Sequence, residues 1–183
     1  MERYGCEYPA QNPELRKKMR SGYIVYIAGT GTDRYLPQNE RISGSEKLCF
    51  DSLPELAFFI WLNDNGYDFE YQPDVVFEYE YAGKKHVYLP DFLVDGIFVE
   101  LKGDHFFDES GKMINPFRDP SWTDLEYLDE CLKYEAKHQC MLDNGVTIMR
   151  EEQYRKYIDY VNLKYGNDFL KKFKKAFSPV VGK

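Results

Sequence analysis

From Val75 to Tyr81 the chain alternates, with Val75, Phe77, Tyr79 and Tyr81 on one side of the pattern and Val76, Glu78 and Glu80 on the other. A period of two is that of a half-buried strand. Ala82-Gly83-Lys84 reads as a turn into a second strand containing Asp91, and Asp95-Gly96 as a turn into a third that ends at Lys102. The expectation is an antiparallel meander of three consecutive strands. Upstream, Ser52-x-x-Glu55 has the form of a capping box with Pro54 in the first turn. Leu56, Phe59 and Ile60 form an apolar face and Asn65-Gly66 a stop, so a helix is predicted there. Tyr67 to Tyr71 is a short extended piece between the two.

After the meander, 103–120 is a polar, aromatic loop with Asn115-Pro116 and Asp119-Pro120, long enough for a functional role. A second long helix is predicted from about Thr123 to Asp143, with Leu125, Leu128 and Leu132 inward and Asn144-Gly145 as its cap. Val146 to Met149 reads as a buried strand. Tyr154, Tyr157, Ile158 and Val161 mark a further helix, and Phe169, Phe173 and Phe177 another. At the start, 1–22 reads as an arm and Tyr23 to Ala28 as a strand. That strand ends in Gly29-Thr30-Gly31-Thr32, a turn and not a phosphate loop, since no Gly-Lys-Ser/Thr follows. Residues 33–51 read as an irregular linker. The expected division is therefore an arm over 1–22, a strand and linker over 23–51, a core over 52–150 and C-terminal helices over 151–183.

The chain has 183 residues, 43% of them apolar, which is enough for a real core. Aromatics at 17% leave rings to spare for a binding face. No run reaches the roughly 18–20 apolar residues that span a bilayer, and Met1-Glu2-Arg3-Tyr4 is unlike a secretory leader, so a soluble cytoplasmic protein, of a bacterial cell or a phage-infected host, is expected. Cys6, Cys49, Cys131 and Cys140 are scattered, with no Cys-x-x-Cys spacing, and read as reduced thiols. A net charge of −7 disfavours phosphate binding on a simple count. The charge is uneven, however. Arg16-Lys17-Lys18 with Arg20, and Lys171-Lys172 with Lys174-Lys175, are basic clusters around an acidic middle, and an acidic metal site with a basic rim has that form.

The chemistry centres on Pro90-Asp91-Phe92-Leu93-Val94-Asp95-Gly96-Ile97-Phe98-Val99-Glu100-Leu101-Lys102. A two-residue type I′ turn at Asp95-Gly96 pairs Val94 with Ile97, Leu93 with Phe98, Phe92 with Val99 and Asp91 with Glu100. Like charges directly opposed are destabilising, so the arrangement calls for a divalent cation between the carboxylates. Lys102, two residues beyond Glu100, shares its face. Two acids and an amine on one hairpin point to metal-assisted hydrolysis.

Pro90-Asp91 followed by Glu100-Leu101-Lys102, within this order of elements from about Ser52 to Met149, resembles the PD-(D/E)xK phosphodiesterase superfamily. The resemblance implies an α/β fold with a restriction-endonuclease-like αβββαβ core, its mixed sheet flanked by helices. It also implies Mg²⁺ or Mn²⁺ held by Asp91, Glu100 and the Leu101 carbonyl, with Glu55 on the preceding helix completing the site. Lys102 would orient or help deprotonate the attacking water, or stabilise charge growing on phosphorus. His105 and, on the second helix, Lys137 are further candidates for substrate contact. Tyr4 to Glu14, with its Tyr-Gly start, Pro-x-Gln and Pro-Glu, is similar to a short module of phage-encoded and homing-type endonucleases that contacts DNA. Arg16, Lys17 and Lys18 would then meet phosphates. The implied activity is DNA endonuclease. The alternatives are an inactive nuclease-fold DNA-binding module and an acidic protein-interaction domain, and whether a homodimer makes paired cuts is left open.

Overall fold

The computed structural model describes residues 23–28, 34–37 and 43–174. These form two compact units, one of residues 67–153 and the other of the described residues up to Gly66 together with those from Tyr154. The arm at 1–22, with Arg16, Lys17 and Lys18, lies outside the described residues, as does Phe177.

In the unit of residues 67–153 the strands are β4 (Phe69–Tyr71), β5 (Phe77–Tyr81), β6 (Lys84–Tyr88), β7 (Phe92–Val94), β8 (Ile97–Leu101) and β9 (Thr147–Met149). A mixed sheet has the order β4-β7-β8-β9. Its first three strands are antiparallel and β8 runs parallel to β9. Asp95 and Gly96 both have positive φ, 48° and 81°, as a type I′ turn demands. The register is as expected for Val94↔Ile97, Leu93↔Phe98 and Phe92↔Val99.

The expected meander needs correction. Its middle strand is two strands, broken at Leu89-Pro90-Asp91. β6 pairs only with β5, in a hairpin sheet of its own, whereas β7 pairs with β4 and β8. Pro90 has no N–H for a ladder, and the chain turns there from one sheet to the next. Asp91 consequently precedes β7, and the ladder stops at Phe92↔Val99, one pair short of Asp91 and Glu100. The Asp91 carbonyl is tied on its other side, accepting from the Gln72 N–H at 2.7 Å.

Helix α2 (Asp124–Asp143) starts at a complete capping box between Thr123 and Glu126 and ends at Asn144, with Gly145 at φ 68° beyond it. It packs on β5 and β6. The inward face differs from the expected one: Leu125, Leu128 and Leu132 are exposed, by 78, 53 and 45%. Cys140 and Met141 are buried instead, in a core with Tyr88, Met113 and Val146 against which Tyr134 and Phe98 pack. The hairpin supplies this core with the rings of Phe77, Tyr79 and Tyr88. Small and flexible side chains on the helix fit between those rings, so the leucine face is turned away.

The other unit holds β1 (Tyr23–Ile27), β2 (Tyr35–Pro37) and β3 (Glu46–Phe50) in the antiparallel order β2-β1-β3. The supposed linker at 33–51 therefore contains two strands, missed because they are short and Lys47 and Glu46 break the apolar pattern. α1 (Leu53–Asp64) is buried over most of its circumference, from Leu56 to Ile60 and at Leu62. α3 (Glu151–Tyr165) begins in the first unit and lays Tyr157 against Phe58 and Trp61 at 4.7 and 4.8 Å. α4 (Lys171–Lys174) is a single turn, preceded by buried Phe169 and Leu170. At the end of α1, Asp64 accepts from Tyr165 at 2.8 Å and pairs with Lys164 at 3.1 Å. No helix among the described residues is long and apolar enough to cross a membrane.

Candidate metal centre

Side chains two apart share a face of a strand, so Glu100 and Lys102 lie on the face of β8 that carries Phe98 toward α2. Asp91, just before β7, stands close enough that its charge acts on Tyr88 and Lys137. Asp91 is 7% exposed and Glu100 2%. Carboxylates this deep are rare unless paired, and Glu100 is well supplied. Its Oε1 pairs with Lys102 Nζ at 2.5 Å, and its Oε2 accepts from the Tyr88 hydroxyl at 2.8 Å.

Burial pushes the Glu100 carboxyl up, but the ammonium groups of Lys102 and Lys137 and the hydrogen bonds from Lys102 and Tyr88 outweigh it and hold the pKa below the ordinary carboxylate value. Tyr88 shifts the other way. Burial and the adjacent Glu100 charge raise its phenol far above the usual range, so it remains a donor at any physiological pH. Lys137, reaching in from α2, has its pKa lowered by burial and by the Lys102 charge, with Glu100 and Asp91 pulling it back up. Its Nζ lies 5.2 Å from the centre of the Tyr88 ring. Two carboxylates and two ammonium groups thus share one desolvated place.

The donor set suits a hard cation. A carboxylate offers about four lone-pair directions, of which Lys102 and Tyr88 take two on Glu100. The Lys102 N–H bonds the Met149 carbonyl on the β9 side. The alternation of the ladder then turns the Leu101 carbonyl away from β9, on the side where the β7–β8 ladder has already ended at Phe92↔Val99. Asp91, Glu100 and the Leu101 carbonyl are all oxygen donors, as Mg²⁺ and Mn²⁺ prefer, and Mg²⁺ takes the rest of its octahedron as water. Among the described residues no group of three or more His, Cys, Asp and Glu side chains is placed to hold a metal ion.

Glu55 is in the other unit. Its carboxylate serves the start of α1: Oε1 accepts from the Ser52 hydroxyl at 2.8 Å and Oε2 from the Asp51 N–H at 3.1 Å, while the Glu55 N–H donates to Ser52 Oγ at 3.2 Å. Nothing matches this chain among family models, curated proteins or solved structures. The functional reading therefore rests on the geometry.

His105 lies on the one-turn 3₁₀ helix Asp104–Phe106, exposed, its ring 4.5 Å from that of Phe106. Gly103 makes room for it: a Cβ there would come within 2.5 Å of the imidazole. Phe106 in turn receives the Lys102 ammonium at 5.5 Å from its centre. Tyr88 escaped the sequence reading because the kink at Leu89-Pro90 hides its relation to Glu100. The available signal was the aromatic that ends β6 directly before Pro90-Asp91.

Proposed function

We propose that this chain is a metal-dependent endonuclease that hydrolyses DNA phosphodiester bonds, with Asp91 and Glu100 as metal ligands beside Lys102. The observation that carries the reading is the pair of buried carboxylates Asp91 and Glu100 at the end of the β7–β8 hairpin, flanked by the ammonium groups of Lys102 from the end of β8 and Lys137 from α2. The order of the elements supports it too: with the β5–β6 hairpin taken as an insertion, the chain runs α1, β4, β7, β8, α2, β9, which is the αβββαβ order of the PD-(D/E)xK superfamily. A divalent ion bound there would neutralise phosphate charge and make a water nucleophilic near neutral pH.

The protein groups divide the remaining work. Tyr88 and Lys102 fix the orientation of Glu100. Lys102 and Lys137 offer positive charge to the non-bridging oxygens as negative charge grows in the transition state. With its lowered pKa, Lys137 gives up a proton more readily than an ordinary lysine.

The test is incubation with supercoiled, linear and branched DNA, with and without Mg²⁺ or Mn²⁺. Cleavage by the wild type should require the metal, and Asp91→Asn, Glu100→Gln and Lys102→Ala should each lose at least ~100-fold, the scale of an electrostatic contact made in the transition state. Full activity in Asp91→Asn or Glu100→Gln would defeat the assignment. The Glu100–Lys102 ion pair also favours a second reading, an inactive nuclease-fold module in which the pair is structural. DNA binding without metal-dependent cleavage would be its signature.

A further inference from the structure

The loop between β8 and α2 presents one large ring to solvent. Phe117 is 66% exposed, yet the backbone on either side of it is held. Asn115 is 6% exposed, its Oδ1 accepts from the Phe117 N–H at 3.0 Å and its carbonyl accepts from the Tyr127 hydroxyl at 2.9 Å. Two residues before Asn115, Met113 is buried in the core and pairs with Phe107. On the other side, Arg118 pairs with Asp124 at 2.6 Å and lies 5.3 Å from the centre of the Tyr127 ring. A ring displayed by a pinned loop is preorganised, so a ligand covering it has little backbone entropy to remove.

The position of the ring matters as much as its exposure. Phe117 stands edge-on to Phe106 at 6.0 Å and to His105 at 6.1 Å, and the Lys102 ammonium lies 5.5 Å from the other ring contact of that group, Phe106. The exposed ring is thus two contacts removed from the proposed catalytic lysine. We infer that Phe117, with His105 at its edge, is a stacking platform for an unpaired nucleobase next to the scissile phosphate, and that single-stranded DNA or an unpaired flap is the preferred substrate. An aromatic face accepts any base because every base has a π-face, and it reaches one only where the strands are apart. In an intact duplex both faces of a base are already stacked.

The inference rests on the nucleic-acid reading of the site, so binding and cleavage are read separately. Binding is measured by fluorescence anisotropy and 2-aminopurine quenching, with Ca²⁺ in place of Mg²⁺, on single-stranded, flap and blunt duplex DNA. Cleavage of the same substrates follows in Mg²⁺. The wild type should bind and cut the single-stranded and flap substrates in preference to the duplex. Phe117→Ala should weaken single-strand binding by about 5- to 100-fold, the range for loss of one base–aromatic stack. Phe117→Trp should keep it, and duplex binding should be the same in all three proteins. Wild-type binding to single strands by Phe117→Ala, a loss equal on blunt duplex, or a wild type indifferent to strandedness would each overturn the platform. Absence of metal-dependent cleavage with a Phe117-dependent single-strand affinity intact would instead overturn the nuclease reading and leave the platform standing.

Discussion

Glu100 shows how one residue decides a site. A carboxylate exposed by only 2% stays charged because Lys102 and Tyr88 each take one of its oxygens and Lys137 adds charge nearby. Tyr88 is the partner whose contribution can be isolated. Tyr88→Phe keeps the ring and removes only the hydroxyl bonded to Glu100, and a hydrogen bond to a charged group contributes roughly 1.5–3 kcal/mol. Urea denaturation should record a loss of that size, and metal affinity should fall with it as Glu100 loses its fixed orientation. An unchanged midpoint would mean that water replaces the hydroxyl without cost. The register from Val94↔Ile97 to Phe92↔Val99 and the shared face of Glu100 and Lys102 could be read from the sequence, because two-residue turns fix register and strand period fixes face. Lys137 could be read only as one polar residue among several on a helix, and Tyr88 not at all, since the bend at Pro90 severs strand arithmetic between it and Asp91.

At the scale of elements, the turn at Asp95-Gly96 sets the geometry of the hairpin. Gly96 has φ 81°, with open space where a Cβ would stand. Gly96→Ala therefore meets backbone strain alone, and should cost about 1 kcal/mol in the urea midpoint without altering the core. Helix α2 offers a sharper check, because spacing and structure disagree over its leucines. With Leu125, Leu128 and Leu132 exposed, single changes to Gln should move stability within about 0.5 kcal/mol, whereas buried leucines would lose roughly 2–5. Losses of the larger size would restore the inward assignment. Apolar spacing found this helix and its caps correctly, but the inward face is chosen by what lies opposite, and the rings of β5 and β6 are non-local.

His138, on the same helix, adds a pH dependence. Its ring packs edge-on to Phe107 at 5.7 Å. Burial depresses its pKa from the ordinary 6.5, Glu135 opposes that and Arg150 adds to it. A base with a depressed folded pKa binds fewer protons folded than unfolded below 6.5, so its contribution is present above that pH and is lost as pH falls toward the folded value. The thermal midpoint should decline on acidification just below pH 6.5, and His138→Phe should flatten that part of the curve. An unchanged slope in the variant would assign the decline to other groups.

The whole molecule joins its parts in an order that the linear pattern conceals. The chain builds one unit up to Gly66, crosses to build the mixed sheet and α2 over 67–153, and returns along α3. The mixed α/β class and most helices were legible in the sequence, since each is a local pattern. The division was not, because the expected core from 52 to 150 straddles it and Glu55 lies on the far side of the boundary at Gly66. The proposed ligands, Asp91, Glu100 and the Leu101 carbonyl, all come from residues 67–153, so a metal held by them should be felt first there. A ligand that binds only the folded form at a hundredfold over its dissociation constant stabilises by about 2.7 kcal/mol. For a chain of this size that raises the thermal midpoint by roughly 5–10 °C. Mg²⁺ or Mn²⁺ should produce that rise in the wild type and slow amide exchange in β7 and β8 before other strands. The Asp91→Asn, Glu100→Gln double variant removes both anionic donors and leaves Lys102 and Lys137 without counter-charges, so it should repel the cation and show neither effect. Equal protection of the wild type and the double variant would move the metal to other residues, and no protection in either would leave the hairpin as a structural ion-pair cluster.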